Sequence, residues 1–108
     1  MNWTEIKEKY PKASRLLINY YDIDDSLIGI RYFVEDYLAR NLYDFFDSQE
    51  IYVCIEYRYG TASLPRWYWM VKQDNAANEQ DSSQTRTEAE EKAFEKAFEI
   101  LENKLPIK

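Results

Sequence analysis

The segment from Thr85 to Leu105 has the most regular hydrophobic pattern in this sequence and constrains the fold more than any other. At about 100° per residue, its apolar residues fall on one side of a helix and its charged residues on the other. Thr85 and Glu88 form a capping box that marks the helix start, and Leu105-Pro106 marks its end. The apolar side consists of Ala89, Ala93, Phe94, Ala97, Phe98, Ile100, Leu101 and Leu105. Because such a side must cover another element, this segment predicts where the core lies.

In the middle of the chain the hydrophobic pattern changes to strict alternation. Ile51–Tyr59 and Arg66–Lys72 both alternate, which predicts two antiparallel strands joined by a hairpin connection at 60–64. A short third strand is expected near Glu79–Ser83. One face of the hairpin is apolar and consists of Ile51, Val53, Ile55, Trp67, Trp69 and Val71. The other face is mixed, as in a sheet covered on one side, and holds Tyr52, Cys54, Glu56, Arg58, Arg66, Tyr68, Met70 and Lys72.

Helical periods run through the N-terminal half. They predict a helix over Trp3–Tyr10, a second over Pro11–Tyr21 and a third over Leu27–Phe46, with a break near Asp36 or Asn41. The expected fold is therefore α+β. N-terminal helices precede an antiparallel hairpin or small three-stranded sheet, and the C-terminal amphipathic helix packs on that sheet.

Length and composition predict one domain over residues 1–108, because no linker or repeat divides the chain. The single cysteine, Cys54, rules out an internal disulfide and suits a reducing compartment. Because it lies in the middle of a predicted strand among large side chains, it is expected to be a small buried hydrophobic residue. Met1–Glu5 has neither the charged nor the apolar region of a signal peptide. No apolar run approaches the roughly 20 residues of a membrane span. We therefore expect a cytoplasmic protein.

This sequence lacks the residues that most familiar catalytic mechanisms require. There is no histidine, so the usual general base and the usual transition-metal ligand are both missing. Gly29 and Gly60 are the only glycines, which excludes a P-loop and a dinucleotide-binding fingerprint. The sequence thus predicts a non-enzymatic protein with no catalytic residues, no cofactor and no metal.

Two acidic patterns have the spacing of possible cation sites. Asp22-Ile23-Asp24-Asp25-Ser26 resembles the start of a calcium loop, but the sixth position is Leu27 and the twelfth is Phe33. Helix capping is the preferred interpretation. Asp44 and Asp47 lie three residues apart on a predicted helix, which favours a solvated face in the absence of a third ligand.

The net charge of −6 is unevenly distributed. Residues 21–50 hold only two bases, Arg31 and Arg40, against Asp22, Asp24, Asp25, Glu35, Asp36, Asp44, Asp47 and Glu50. These acids suggest one alternative function, an inhibitor that mimics a row of phosphates. A basic strip suggests another, RNA binding, and would comprise Lys7, Lys9, Lys12, Arg15 and Arg86.

Aromatic residues are abundant, with three Trp, ten Tyr and five Phe. The alternation leaves Tyr52 and Tyr68 on the mixed face beside basic residues, and such rings are typical of interface anchors. Packing beneath the N-terminal helices is the preferred interpretation of these rings, and a partner-binding face is the alternative. The candidate partner-binding residues are Tyr52, Arg58, Arg66 and Tyr68. The leading prediction is a small macromolecule-binding protein whose partner is a protein rather than a nucleic acid.

Residues 37–104 resemble a double-stranded RNA-binding domain in the order helix, strand, strand, short strand, helix. The run Thr85–Ala93 is similar in shape to that family's C-terminal helix, which opens with a small polar cap and lysine-rich residues. Arg86 is retained in this run, whereas Thr87 and Glu90 stand where the family has lysines. The resemblance implies that topology and, as an alternative function, a degenerate RNA-binding module.

A second resemblance covers most of the chain. Leu42–Asp47 followed by Ile51–Val53, together with Arg86–Glu90 and Ala93–Leu101, is similar to small uncharacterised proteins of gut bacteria and their prophages. It implies no particular activity. It is compatible with an accessory role in a phage or mobile element.

Overall fold

The computed structural model describes residues 3–21, 38–57, 67–73 and 79–105. In these ranges it has four helices and three strands, which confirms the α+β class. They are α1 Trp3–Lys9, α2 Pro11–Tyr21, α3 Leu38–Ser48, β1 Ile51–Tyr57, β2 Trp67–Gln73, β3 Glu79–Ser83 and α4 Arg86–Lys104. The short third strand, which the sequence only suggested, forms and completes the sheet.

Several sequence predictions concern residues outside the described ranges. These are the turn at 22–26, the proposed helix before Leu38, the hairpin connection at 60–64, and the basic residues Arg58 and Arg66. The predictions made for them stay predictions. The described part of the third predicted helix extends two residues beyond Phe46, to Ser48.

The three strands form one antiparallel sheet in the order β1-β2-β3. In the register, Val53 lies opposite Val71, and Trp67 lies between Tyr57 on β1 and Ser83 on β3. Alternate residues therefore share a face across all three strands. The face that packs against the helices, here the covered face, contains Ile51, Val53, Ile55, Tyr57, Trp67, Trp69, Val71 and Ser83. The register also puts half-buried Gln73 and exposed Asp81 on this side, towards its edges.

Helix α4 covers this face, as its apolar side predicts, and α3 packs beside it on β1. Phe94 and Phe98 of α4 are fully buried together with Phe45 and Phe46 of α3. The Phe46 and Phe98 ring centroids lie 5.0 Å apart in an edge-to-face arrangement, which aromatic pairs prefer. These four rings form the centre of the core between the two helices and the sheet.

Helix α2 packs on α4, and α1 packs on α2. The Tyr10 ring stacks on Phe98 with centroids 6.3 Å apart. The first backbone N–H groups of a helix have no partner within the helix, and Pro11 has no N–H at all. The Glu102 Oε1 atom of α4 accepts a hydrogen bond from the Ala13 N–H at 2.9 Å. A side chain of the last helix therefore caps the start of α2.

The ends of α4 are closed as the sequence predicts. The Thr85 Oγ1 atom accepts a hydrogen bond from the Glu88 N–H at 3.2 Å, and the Thr85 backbone is extended. At the other end, the Leu105 N–H donates to the Leu101 carbonyl at 3.1 Å. Among the described helices, none is both long enough and apolar enough to cross a bilayer.

Candidate interaction surface

The face of the sheet that points away from α3 and α4, here the open face, differs in chemistry from the covered face. Its described residues are Tyr52, Cys54, Glu56, Tyr68, Met70, Lys72, Gln80 and Ser82. Cys54, Glu56, Lys72 and Gln80 are exposed, and the remaining four side chains are half-buried. Helices α3 and α4 pack on the other side of the sheet, and α2 packs on α4.

A depression with a volume of about 290 Å³ lies on the open face. Its volume lies at the lower limit of ligand pockets, which run from about 300 to 1,000 Å³. The described residues around it are Cys54, Glu56, Tyr68, Trp69, Met70, Lys72, Gln80, Asp81 and Ser82. The mixture of a tyrosine, two sulfur-containing side chains and both signs of charge suits a wet, shallow contact better than an enclosed ligand.

The register arranges the open face of β1 and β2 in three rows. Cys54 lies opposite Met70 in the central row. In the outer rows, Tyr52 lies opposite Lys72 at one end, and Glu56 lies opposite Tyr68 at the other. Each end therefore combines a tyrosine with a charge, and the two charges have opposite signs.

Two of the four predicted partner-binding residues are thus placed on this face. Tyr52 and Tyr68 are both half-buried, and they lie at opposite ends of the face rather than side by side. Arg58 and Arg66 lie outside the described residues. Sequence reasoning missed Gln80 as part of the surface, because a five-residue polar strand has no hydrophobic alternation from which its faces could be assigned.

The interpretation of Cys54 as a small buried hydrophobe is wrong. Its side chain is exposed, since position 54 falls on the open face of an edge strand. The alternation along β1 already placed Cys54 on the mixed face. The preference of free cysteine for protein interiors misled the interpretation.

A second group of side chains lies where the strands end near the start of α4. The Tyr57 and Trp67 rings are 5.0 Å apart, and the Arg86 guanidinium lies 5.9 Å from the centroid of the Trp67 ring. The Arg86 Nε atom also pairs with Glu90 Oε1 at 3.3 Å. Arg86 therefore joins the first turn of α4 to the sheet through the cation–π contact with Trp67, while its ion pair with Glu90 lies within α4.

Tyr43 continues this group towards α3. Its hydroxyl donates to Glu90 Oε2 at 3.4 Å, and its ring meets Phe94 edge-on at 5.0 Å. Burial raises the pKa of Tyr43 well above its ordinary value, and the Glu90 carboxylate raises it further. The Tyr43 hydroxyl donates a hydrogen bond that links the two helices, and its raised pKa extends the protonated form further into the alkaline range.

Three residues of the predicted basic strip, Lys9, Lys12 and Arg86, pair with acidic side chains of α4. Lys9 pairs with Glu95 at 3.4 Å, and Lys12 lies 3.9 Å from Glu102 and donates to the Leu105 carbonyl at 3.0 Å. The strip also spans much of α4, because Glu90, the partner of Arg86, precedes Glu102 by 12 residues, or about 18 Å of helix.

Within the described ranges, no group of three or more cysteine, aspartate or glutamate side chains could hold a metal ion. Asp44 and Asp47 are both exposed on α3. The Asp44 carboxylate contributes, after burial, to raising the pKa of Tyr21. The calcium-like pattern that begins at Asp22 lies outside the described residues.

Comparisons with known proteins return no match. No protein-family model matches the sequence, and neither the curated proteins nor the solved structures contain a match. The two resemblances noted from the sequence therefore stay predictions.

Proposed function

We propose that this chain is a small non-enzymatic cytoplasmic protein that acts by binding another protein through the open face of its sheet. The observation that carries the proposal is the pairing of half-buried Tyr68 and Met70 with exposed charges around one shallow depression. Tyrosine and methionine are enriched in protein interfaces, where they provide contact area, and charges at the rim provide orientation.

The charge arrangement supports a protein partner over a nucleic acid. Phosphate recognition needs several cations that are available together on one surface. The described open face has one cation, Lys72, against Glu56. Lys9, Lys12 and Arg86 each have a carboxylate within 4.0 Å, which reduces their capacity to neutralise phosphate.

The first alternative remains a degenerate RNA-binding module, which the order α3-β1-β2-β3-α4 favours. Under the protein-binding proposal, duplex RNA in low-salt buffer causes no mobility shift. RNA binding that weakens steeply with added salt would instead support the alternative. The other alternative, mimicry of phosphates, depends on acidic residues of which Asp44, Asp47 and Glu50 alone lie in the described ranges.

The decisive experiment places a photo-crosslinking amino acid at Gln80, on the open face, in the full chain expressed in its own host. The matched control places it at Lys92, an exposed position on α4. We expect a discrete adduct from position 80 that resists nuclease treatment, and none from position 92. The proposal is wrong if position 80 gives no adduct, if both positions give the same one, or if nuclease removes it.

A second substitution connects the adduct to the predicted contacts. In the chain that carries the crosslinker at position 80, Tyr68→Ala should remove the adduct while the circular dichroism spectrum stays unchanged. Arg66→Ala should weaken the adduct if the contact predicted for Arg66 exists. Retention of the full adduct after Tyr68→Ala contradicts the assignment of Tyr68 as an anchor.

A further inference from the structure

We propose that the Asp81 side chain closes the outer edge of β3 and so prevents this strand from pairing with β3 of a second copy of the chain. In the described sheet β3 is an edge strand, with β2 on its inner side. The outer side of an edge strand presents backbone N–H and C=O groups, which can pair with a strand of another molecule. This edge is separate from the open face, on which the proposed function depends.

One hydrogen bond indicates which backbone groups of β3 face outwards. The Ser82 N–H donates to Asp81 Oδ1 at 2.8 Å. Successive residues of an antiparallel strand direct their backbone groups alternately to one neighbour and to the other side. An N–H that is bonded to a side chain of its own strand is therefore one that the pairing with β2 does not use. Ser82 faces outwards, and so does Gln80 two residues before it.

The five residues of β3 define the register in which two copies would pair. In an antiparallel pair over the full strand, Gln80 of one copy lies opposite Ser82 of the other, and the two residues exchange both N–H···O bonds. Asp81 then lies opposite Asp81 of the other copy. Residues in this position are close, with Cα atoms about 4.5 Å apart, and like charges directly opposite each other are destabilising.

Asp81 therefore opposes pairing in two ways. Its carboxylate occupies the Ser82 N–H, which an added strand would need, and its charge would meet the same charge on the second copy. Both effects depend on one side chain, which is exposed. Asp81 consequently keeps a short polar strand from extending the sheet into a second molecule.

The rest of the local sequence does not offset this charge. Residues 73–84 contain the acids Asp74, Glu79 and Asp81 and no base. In the register given above, Glu79 lies opposite Ser83 of the other copy. Asp81 is thus the acidic position of β3 that meets another acidic position.

Replacement of Asp81 separates the hydrogen bond from the charge. Asp81→Ala removes both, so self-association measured by sedimentation equilibrium should rise at least about tenfold over the parent. Asp81→Asn removes the charge but keeps an oxygen that can accept the Ser82 N–H, so its association should lie between the two. Asp47→Ala, at an exposed position of α3, changes the net charge equally and should match the parent. The inference is wrong if Asp81→Ala associates no more than Asp47→Ala.

A cysteine at position 81 tests the register. In a Cys54→Ser chain, which lacks the natural thiol, Asp81→Cys places two thiols opposite each other, at a Cα separation that a disulfide can span. Oxidised glutathione should convert this variant to a disulfide-linked dimer much faster than it converts Asp47→Cys in the same background. Equal rates of linkage would overturn the register.

A proline at position 82 tests the outward N–H. Proline has no N–H and is tolerated on an edge strand where that group faces away from the sheet. The double variant Asp81→Ala, Ser82→Pro should therefore keep the circular dichroism spectrum of the parent and return to its level of association. Persistent association would show that the Ser82 N–H is not the group that pairs. A double variant that unfolds would place this N–H against β2, and either result overturns the inference.

Discussion

The covered and open faces of the sheet are built from alternate residues of the same strands, yet they obey different rules. Val71 is fully buried on the covered face, whereas its neighbour Lys72 is exposed on the open face. Alternation in a strand sends successive side chains to opposite faces, so each face can be specified separately. The covered face packs against the helices, and the open face carries the exposed charged side chains of Glu56 and Lys72.

The largest difference in stability loss is expected between alanine substitutions of two aromatic residues on opposite sides of the sheet. Phe98→Ala should lower the free energy of unfolding by about 3–5 kcal/mol, because it leaves a cavity among buried rings. Tyr68→Ala, on the open face, should cost roughly 1 kcal/mol or less. Urea denaturation followed by circular dichroism measures both. Equal losses would show that the open face is also part of the core.

A smaller loss of stability is expected from removing the side-chain hydrogen bond between α4 and the start of α2. Glu102→Ala removes the acceptor for the Ala13 N–H and should cost about 0.5–2 kcal/mol, the usual range for the loss of a helix cap. Asn103→Ala, at the exposed neighbouring position, serves as the control. A variant at position 102 as stable as this control would show that Glu102 does not support α2.

Tyr43 should make the free energy of unfolding sensitive to alkaline pH. Its folded pKa is raised above the unfolded value of 10.0, so its contribution is complete below that pH and is lost as the pH rises further. Stability measured on either side of pH 10.0 should fall less steeply for Tyr43→Phe than for the parent. Identical pH profiles would mean that Tyr43 ionises as readily in the folded chain as in the unfolded one.

The smallest effect concerns a polar residue on the covered face. The Ser83 hydroxyl is buried, and among the described residues it has no hydrogen-bond partner. Ser83→Ala should therefore raise stability by about 1 kcal/mol, because a buried unsatisfied hydroxyl is costly. Ser82→Ala, half-buried on the open face, should change stability by less. A clear loss of stability in Ser83→Ala would contradict this account of the covered face.

Much of the covered face could be predicted from the sequence. Ile51, Val53 and Trp69 are buried as the alternation requires, and α4 has the cap and the apolar side that its pattern specifies. The third strand was harder to predict, because Glu79–Ser83 is polar and joins the sheet through backbone pairing with β2. The exposure of Cys54 was missed because a general residue preference outweighed its position in the alternation.

By itself, the sequence determined the class of fold, the main elements and the two faces of the hairpin, because these follow from local periodicity and from the backbone geometry of helices and strands. Only the tertiary structure decided which distant charges meet. The packing of the helices decides that Glu102 caps α2 and that Tyr43 meets Glu90, the partner of Arg86. The pairing of the strands decides the order of the three rows on the open face. Contacts between residues far apart in the chain leave no periodic signal, so they emerge only when packing brings them together.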